Sequence, residues 1–114
     1  MSDCLFCKIK DGEIPSTKVY EDELVYAFED IDPQAPVHII IIPKVHISSG
    51  NEIDEENCAV VGHIFSVAAK IAKEKGFADK GWRIVNNCGE DGGQTVGHIH
   101  FHLLAGRNLQ WPPG

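Results

Sequence analysis

The chain has no apolar run long enough to cross a bilayer, no surplus of positive charge, and no basic leader followed by an apolar stretch. Its longest strongly apolar run, Val37 to Pro43, is interrupted by His38 and falls far short of the roughly 20 residues a spanning helix needs, so no membrane partner is expected. Ten basic against 17 acidic residues give a net charge of −7, which opposes non-specific attraction to nucleic acid and to anionic membrane surfaces. Without a recognisable leader the expected location is the cytoplasm. Cysteine is scarce too: four in a chain with no export signal are expected as thiols or metal ligands rather than disulfide staples. No internal repeat, linker or low-complexity tract divides the chain, and 114 residues suffice for one hydrophobic core, so a single domain over 1–114 is expected.

What is present is an ordinary globular composition, 43% hydrophobic and 24% charged, with periodicities that can be read. Lys18–Glu21 and Val25–Glu29 are short segments separated by acidic turn residues and are expected to form a hairpin. Val37–Pro43 concentrates β-branched residues and reads as a third strand. From about Asp54 to Lys75, apolar residues recur at intervals of three and four, with Asp54 as a cap, Glu55 and Glu56 at the start, Lys73 and Lys75 at the end, and Gly76 as the stop. That pattern predicts one long amphipathic helix. Gly81–Asn87 and His98–Ala105 read as two more strands flanking a glycine-rich loop, and a short helix is expected near residues 4–11. The expected class is α+β: a five-stranded, mainly antiparallel sheet with one long helix and a short N-terminal one. A sheet covered by a single helix leaves apolar surface over, so a homodimer is expected, with the Trp111-Pro112-Pro113-Gly114 tail as a candidate arm.

The chemistry concentrates in His98-Ile99-His100-Phe101-His102-Leu103-Leu104. In an extended chain alternate side chains share a face at about 3.3 Å rise per residue, so the three imidazoles form a row while Ile99, Phe101 and Leu103 face the opposite side. A lone histidine, such as His63 on the long helix, is ordinarily a packed or surface residue. Three in strict alternation are different, because crowding imidazoles gains no hydrophobic energy and disfavours their protonated forms. Work at phosphorus or at a metal accounts for them better: an imidazole near neutrality can attack while a neighbour holds its other nitrogen or handles a proton. The preceding loop, Asn87-Cys88-Gly89-Glu90-Asp91-Gly92-Gly93-Gln94-Thr95, offers backbone donors, an amide and a hydroxyl, all phosphate-binding groups.

Cys4-x-x-Cys7 has the spacing of half a tetrahedral zinc site, for which His46 and His98 are candidate completing ligands. A redox pair or two unligated thiols are the alternatives. Cys58 and Cys88 read as ordinary residues of the helix and the loop.

The motif His98 to Leu104 resembles the H-φ-H-φ-H-φ-φ signature of the histidine triad (HIT) family. The likeness extends through Ile14-Pro15, Asp30 to Pro36, His38, Ile42 to His46, Asp91 to Val96 and Trp111 to Gly114, and is nearest the Hint branch. The resemblance implies a homodimer whose two sheets join into one, and an enzyme acting on purine nucleoside monophosphate derivatives (AMP or GMP). It implies cleavage of adenosine phosphoramidates and aminoacyl adenylates, with His100 as the nucleophile that forms a nucleotidyl-enzyme intermediate. His102 and His38 would orient it and hold the phosphate, with Asn87, Gly93 and Thr95 at phosphate or leaving group. Asp30 would take the ribose hydroxyls, and Leu5, Phe6, Ile9 and Ile31 would enclose the base. Members with this cysteine pair carry structural zinc, which implies Cys4, Cys7, His46 and His98 as ligands and no organic cofactor. A nucleotide-binding interaction protein with incidental hydrolysis, or a dinucleoside polyphosphate hydrolase, is the competing reading. Thr95 stands where many relatives carry serine.

Overall fold

The computed structural model describes residues 3–114. In chain order they form α1 (Leu5–Lys10), β1 (Lys18–Glu21), β2 (Val25–Glu29), β3 (Val37–Pro43), a short 3-10 turn at Gly50–Glu52, α2 (Ala59–Lys75), β4 (Trp82–Asn86) and β5 (Phe101–Ala105). The sheet runs β1-β2-β3-β5-β4, and every neighbouring pair is antiparallel. The α+β expectation and the five strands are therefore what the chain adopts.

Alternation of side chains across the sheet builds two apolar layers. Val25 and Ala27, Ile39 and Ile41, and Phe101, Leu103 and Ala105 pack with Ile64, Val67, Ala68, Ile71 and Ala72 of α2. Tyr26, Phe28, Ile40 and Ile42 face the other way and pack with Phe6 and Ile9 of α1. Because both faces of β3 are covered, its sequence reads as a nearly continuous apolar run. The short N-terminal helix thus covers surface that a single long helix would leave open. Phe65 belongs to the helical periodicity but is 47% exposed, whereas Val67 is buried in its place.

β4 and α1 are each one residue shorter at either end than expected, and two boundaries differ by more. The long helix begins at Ala59, not Asp54, because Asp54 spends its carboxylate on a separate turn, accepting from the Glu56 and Asn57 amides at 2.9 and 3.1 Å. Asn57 Oδ1 accepts from the Asp54 amide in return, at 2.8 Å, and Cys58 stands at the helix N-cap rather than within it. The helix does end as expected, with Gly76 in the left-handed region at φ 85° and its N–H donated to the Ala72 carbonyl. The last strand begins at Phe101, so His98 and His100 precede it. Their segment lies outside the strand and is held by separate contacts: the Ile99 amide donates to the Ile47 carbonyl at 2.6 Å, and Asn86 Nδ2 donates to the His100 carbonyl at 2.9 Å.

Asp22, in the β1–β2 turn, ties the hairpin to α2. Its carboxylate accepts from the Leu24 and Val25 amides, from Tyr20 Oη at 2.9 Å and from His63 Nε2 at 2.7 Å. Partial burial raises its pKa, but the His63, Leu24, Val25 and Tyr20 bonds outweigh that and hold the carboxyl well below the usual carboxylate range. A depressed carboxylate stabilises the fold above its unfolded pKa and loses that contribution as the pH falls through the acid range. Asp22→Asn is expected to cost about 1–2 kcal/mol at pH 7. Its melting temperature should also fall less steeply than that of the unmodified protein below about pH 4; thermal melts at a series of pH values check both.

Candidate active site and metal centre

The β3–β5 register sets Ile40 opposite His102 and Leu104 opposite His38. His38 and His102 are thus diagonal neighbours on one face, within reach of each other's rings. Their Nε2 and Nδ1 atoms lie 2.8 Å apart, and the Asp30 carboxylate approaches His38 Nε2 at 3.3 Å. The Gln34 backbone N–H, which can only donate, points at His38 Nδ1 at 3.0 Å. Neutral His38 therefore carries its proton on Nε2 and presents it to His102 Nδ1, which leaves the His102 proton on Nε2.

His100 lies beside His102, ring centroids 5.1 Å apart, and packs edge-to-face with the Phe6 ring at a centroid distance of 4.9 Å. Its Nδ1 is 2.8 Å from the His98 carbonyl oxygen. A carbonyl can only accept, so Nδ1 bears the proton and Nε2 keeps a lone pair. Burial lowers the pKa of His100, opposed by that bond and by Asp30. His102 is pushed down to about 4 by burial first and then by the neighbouring His100 and His38. At neutral pH His100 and His102 are uncharged imidazoles beside one carboxylate: a nitrogen lone pair flanked by a nitrogen-borne proton.

The same segment builds a second cluster. Cys4 Sγ lies 3.3 Å from His98 Nδ1, and Cys7 Sγ lies 3.5 Å from His98 Nδ1 and 3.4 Å from His46 Nδ1. These four atoms lie within 4.8 Å of one another. A tetrahedral zinc with Zn–S near 2.3 Å and Zn–N near 2.0–2.1 Å has S···N edges of about 3.5 Å, so the donors stand at the corners such an ion requires. His98 Nε2 donates to the Pro43 carbonyl at 2.9 Å, which turns the Nδ1 lone pair toward the thiols. The Cys7 amide points at Cys4 Sγ at 3.3 Å, as suits a thiolate. His98 is fully buried, whereas His46 is exposed, so one side of the cluster meets solvent.

The HIT domain family matches residues 11–109. The chain belongs to the HIT family. Purine nucleoside phosphoramidase of Escherichia coli (strain K12) is 50% identical to this HIT domain over 105 residues, 92% of this chain and 88% of the relative. The 14 kDa zinc-binding protein of Zea mays is 50% identical over 115 residues, 99% of this chain and 89% of the relative. A HIT family hydrolase from Legionella pneumophila Philadelphia 1 superposes with a TM-score of 0.96 at 49% identity, covering 98% of this chain and all of that one.

Of the residues singled out from sequence, His38, His100, His102 and Asp30 converge, as do Cys4, Cys7, His46 and His98. Phe6 and Ile9 are buried in the layer beside the histidines, whereas Leu5 is 43% exposed and Ile31 completely exposed. Asn87 Nδ2 donates within its own loop to the Gly92 carbonyl at 2.6 Å, which shapes the loop. Gly93, with φ 80°, and Thr95 line an open groove of about 690 Å³ together with Ser48, Ser49 and Gly97. Gln94 pins that loop, accepting from the Gly89 amide at 3.0 Å and donating to the Ser48 carbonyl at 2.7 Å. Backbone groups were the part sequence did not disclose. The Gln34 amide and the His98 and Pro43 carbonyls set the three imidazole orientations, and no side-chain pattern marks them.

His102, neutral down to about pH 4, binds fewer protons folded than unfolded between that value and about 6.5. Stability is therefore expected to fall as the pH drops through this window. Imidazole titration by NMR should place His102 near 4, and His102→Asn should flatten the dependence of melting temperature on pH between about 6.5 and 4.

Proposed function

We propose that this HIT domain is a hydrolase of purine nucleoside monophosphate derivatives, cleaving P–N bonds of adenosine phosphoramidates and mixed anhydrides such as aminoacyl adenylates through a nucleotidyl intermediate on His100. The observation that carries the reading is the His100 Nδ1 bond to the His98 carbonyl, which aims an unprotonated Nε2 away from its own backbone. The purine nucleoside phosphoramidase at 50% identity supports the substrate class.

In the first step the Nε2 lone pair of His100 bonds to phosphorus as the bond to the leaving nitrogen breaks. The bonding pair stays on that nitrogen, which takes up a proton and departs as an amine. The His98 carbonyl stabilises the charge that His100 acquires, and the Nε2–H of His102 donates to a phosphate oxygen. Water then attacks phosphorus and releases a proton, and the P–N pair returns to His100. The two protons cancel, so one turnover consumes one water.

Asp30 takes the ribose hydroxyls. Phe6 and Ile9 form the floor of the base site, with Leu5 and Ile31 as its exposed rim. Asn87, Gly93 and Thr95 hold the phosphate or the leaving group from the loop. One domain spans 1–114, and the exposed Phe65 and Trp111 are the apolar surface through which two copies pair as a homodimer. The location proposed is the cytoplasm, the compartment that keeps Cys4 and Cys7 reduced for zinc.

Cys4, Cys7, His46 and His98 hold one structural zinc, a reading supported by the donor set and by the zinc-binding relative at 50% identity. When bound, the metal joins α1, the segment after β3 and the root of the histidine segment. All four protein positions are filled, so it offers no open site to substrate.

His100→Ala is expected to reduce hydrolysis of adenosine 5′-phosphoramidate by roughly a thousandfold or more while AMP still binds. Turnover near that of the unmodified protein would remove His100 as nucleophile. Cys4→Ser should lose zinc by elemental analysis and melt at lower temperature, and chelator should lower the melting temperature of the unmodified protein to match.

A further inference from the structure

β5 leaves the sheet at Ala105, and the next two residues close onto the loop before β3. Gly106 adopts φ +95°, and a Cβ at that position would stand 2.8 Å from Pro36 Cβ and 3.1 Å from Pro36 Cγ. Only glycine lets the strand end approach the loop so closely. Immediately after it, Arg107 Nε donates to the Gln34 carbonyl at 3.0 Å. Gln34 is the residue whose own N–H faces His38 Nδ1 at 3.0 Å. One exposed loop residue is thereby held at both ends, by a guanidinium on its carbonyl and by an imidazole on its amide.

We propose that Gly106 and Arg107 form a clamp that holds His38 in its Nε2–H tautomer and, through it, orients His102; both are positioning residues. The inference rests on the hydrolase reading above. If Gln34 swings away, His38 Nδ1 loses its donor, and of the two groups that favour the Nε2–H tautomer only the Asp30 carboxylate, 3.3 Å from Nε2, is left, so the Nδ1–H form becomes accessible. With the proton on Nδ1, His38 Nε2 and His102 Nδ1 face each other at 2.8 Å as two acceptors. His102 must then move its proton to Nδ1, and its Nε2 no longer donates to phosphate. The Asp30 backbone is held without Gln34 or Arg107, its amide donating to the His38 carbonyl at 3.0 Å, so a ribose contact there survives loss of the clamp. The clamp therefore governs the chemical step rather than binding.

The test compares Arg107→Ala and Arg107→Lys with the unmodified protein, using adenosine 5′-phosphoramidate kinetics and imidazole ¹⁵N NMR. Arg107→Ala should lower kcat about tenfold with KM within about twofold, and the His38 signals should change from a single Nε2–H tautomer to a mixture. Arg107→Lys keeps a cationic donor for the Gln34 carbonyl and should recover most of kcat and the single tautomer. A loss confined to KM, or a His38 tautomer unchanged in Arg107→Ala, overturns the clamp. The NMR comparison needs no turnover, so a protein inactive on every phosphoramidate would sink the hydrolase reading while still deciding the clamp.

Discussion

The antiparallel pairing of β3 with β5 is the constraint on which the rest of the molecule depends. It sets His38 and His102 on one face and Ile39, Ile41, Phe101 and Leu103 on the other. The second set packs against α2, so a one-residue slip in register would turn the histidines into the helix layer and the apolar residues toward the site. Packing that stabilises the domain is therefore the same packing that aims the imidazoles. Fully buried Ile39, Ile41 and Leu103 anchor, from the opposite face, the strands that carry His38 and His102.

His98 joins the two clusters. Its ring serves the cysteines, oriented by Pro43, while its carbonyl serves His100. The residue that would hold metal thus also fixes the tautomer of the proposed nucleophile, with its side chain and backbone directed to different tasks. This arrangement becomes available because residues 98–100 lie outside the sheet ladder: a carbonyl committed to a neighbouring strand would be less free to accept from an imidazole two residues on. The departure from a continuous strand over His98–Ala105 is in this sense part of the site.

His100 and His102 stay neutral because desolvation outweighs the carboxylate nearby. On the proposed function, a chain with net charge −7 has to recruit its anionic substrate through local donors, and the groups proposed for that are N–H groups of rings and loop backbone rather than a basic patch. Neutral donors also avoid the salt dependence that a cluster of lysines would carry.

Much was legible in the order of residues alone. β1, β2 and β3 fall on the segments marked by their turn residues and β-branched runs, and α2 stops at Gly76, since these are local signals read over a few residues. The alternation of His98, His100 and His102 with Ile99, Phe101 and Leu103 marked out the histidine segment, and Cys4-x-x-Cys7 marked out half of the Cys/His cluster. The tertiary structure decided what depends on groups far apart in the chain. It placed Cys4 and Cys7 against His46 and His98, and Asp30 against His38. It also ended the long helix early at its N-terminus, where Asp54 and Asn57 satisfy each other's amides before α2 begins. Above all it supplied the backbone partners of the imidazoles. Every residue but proline carries the same N–H and every residue the same C=O, so no letter of the sequence distinguishes Gln34, Pro43 or His98 for that role until folding brings each to a ring nitrogen.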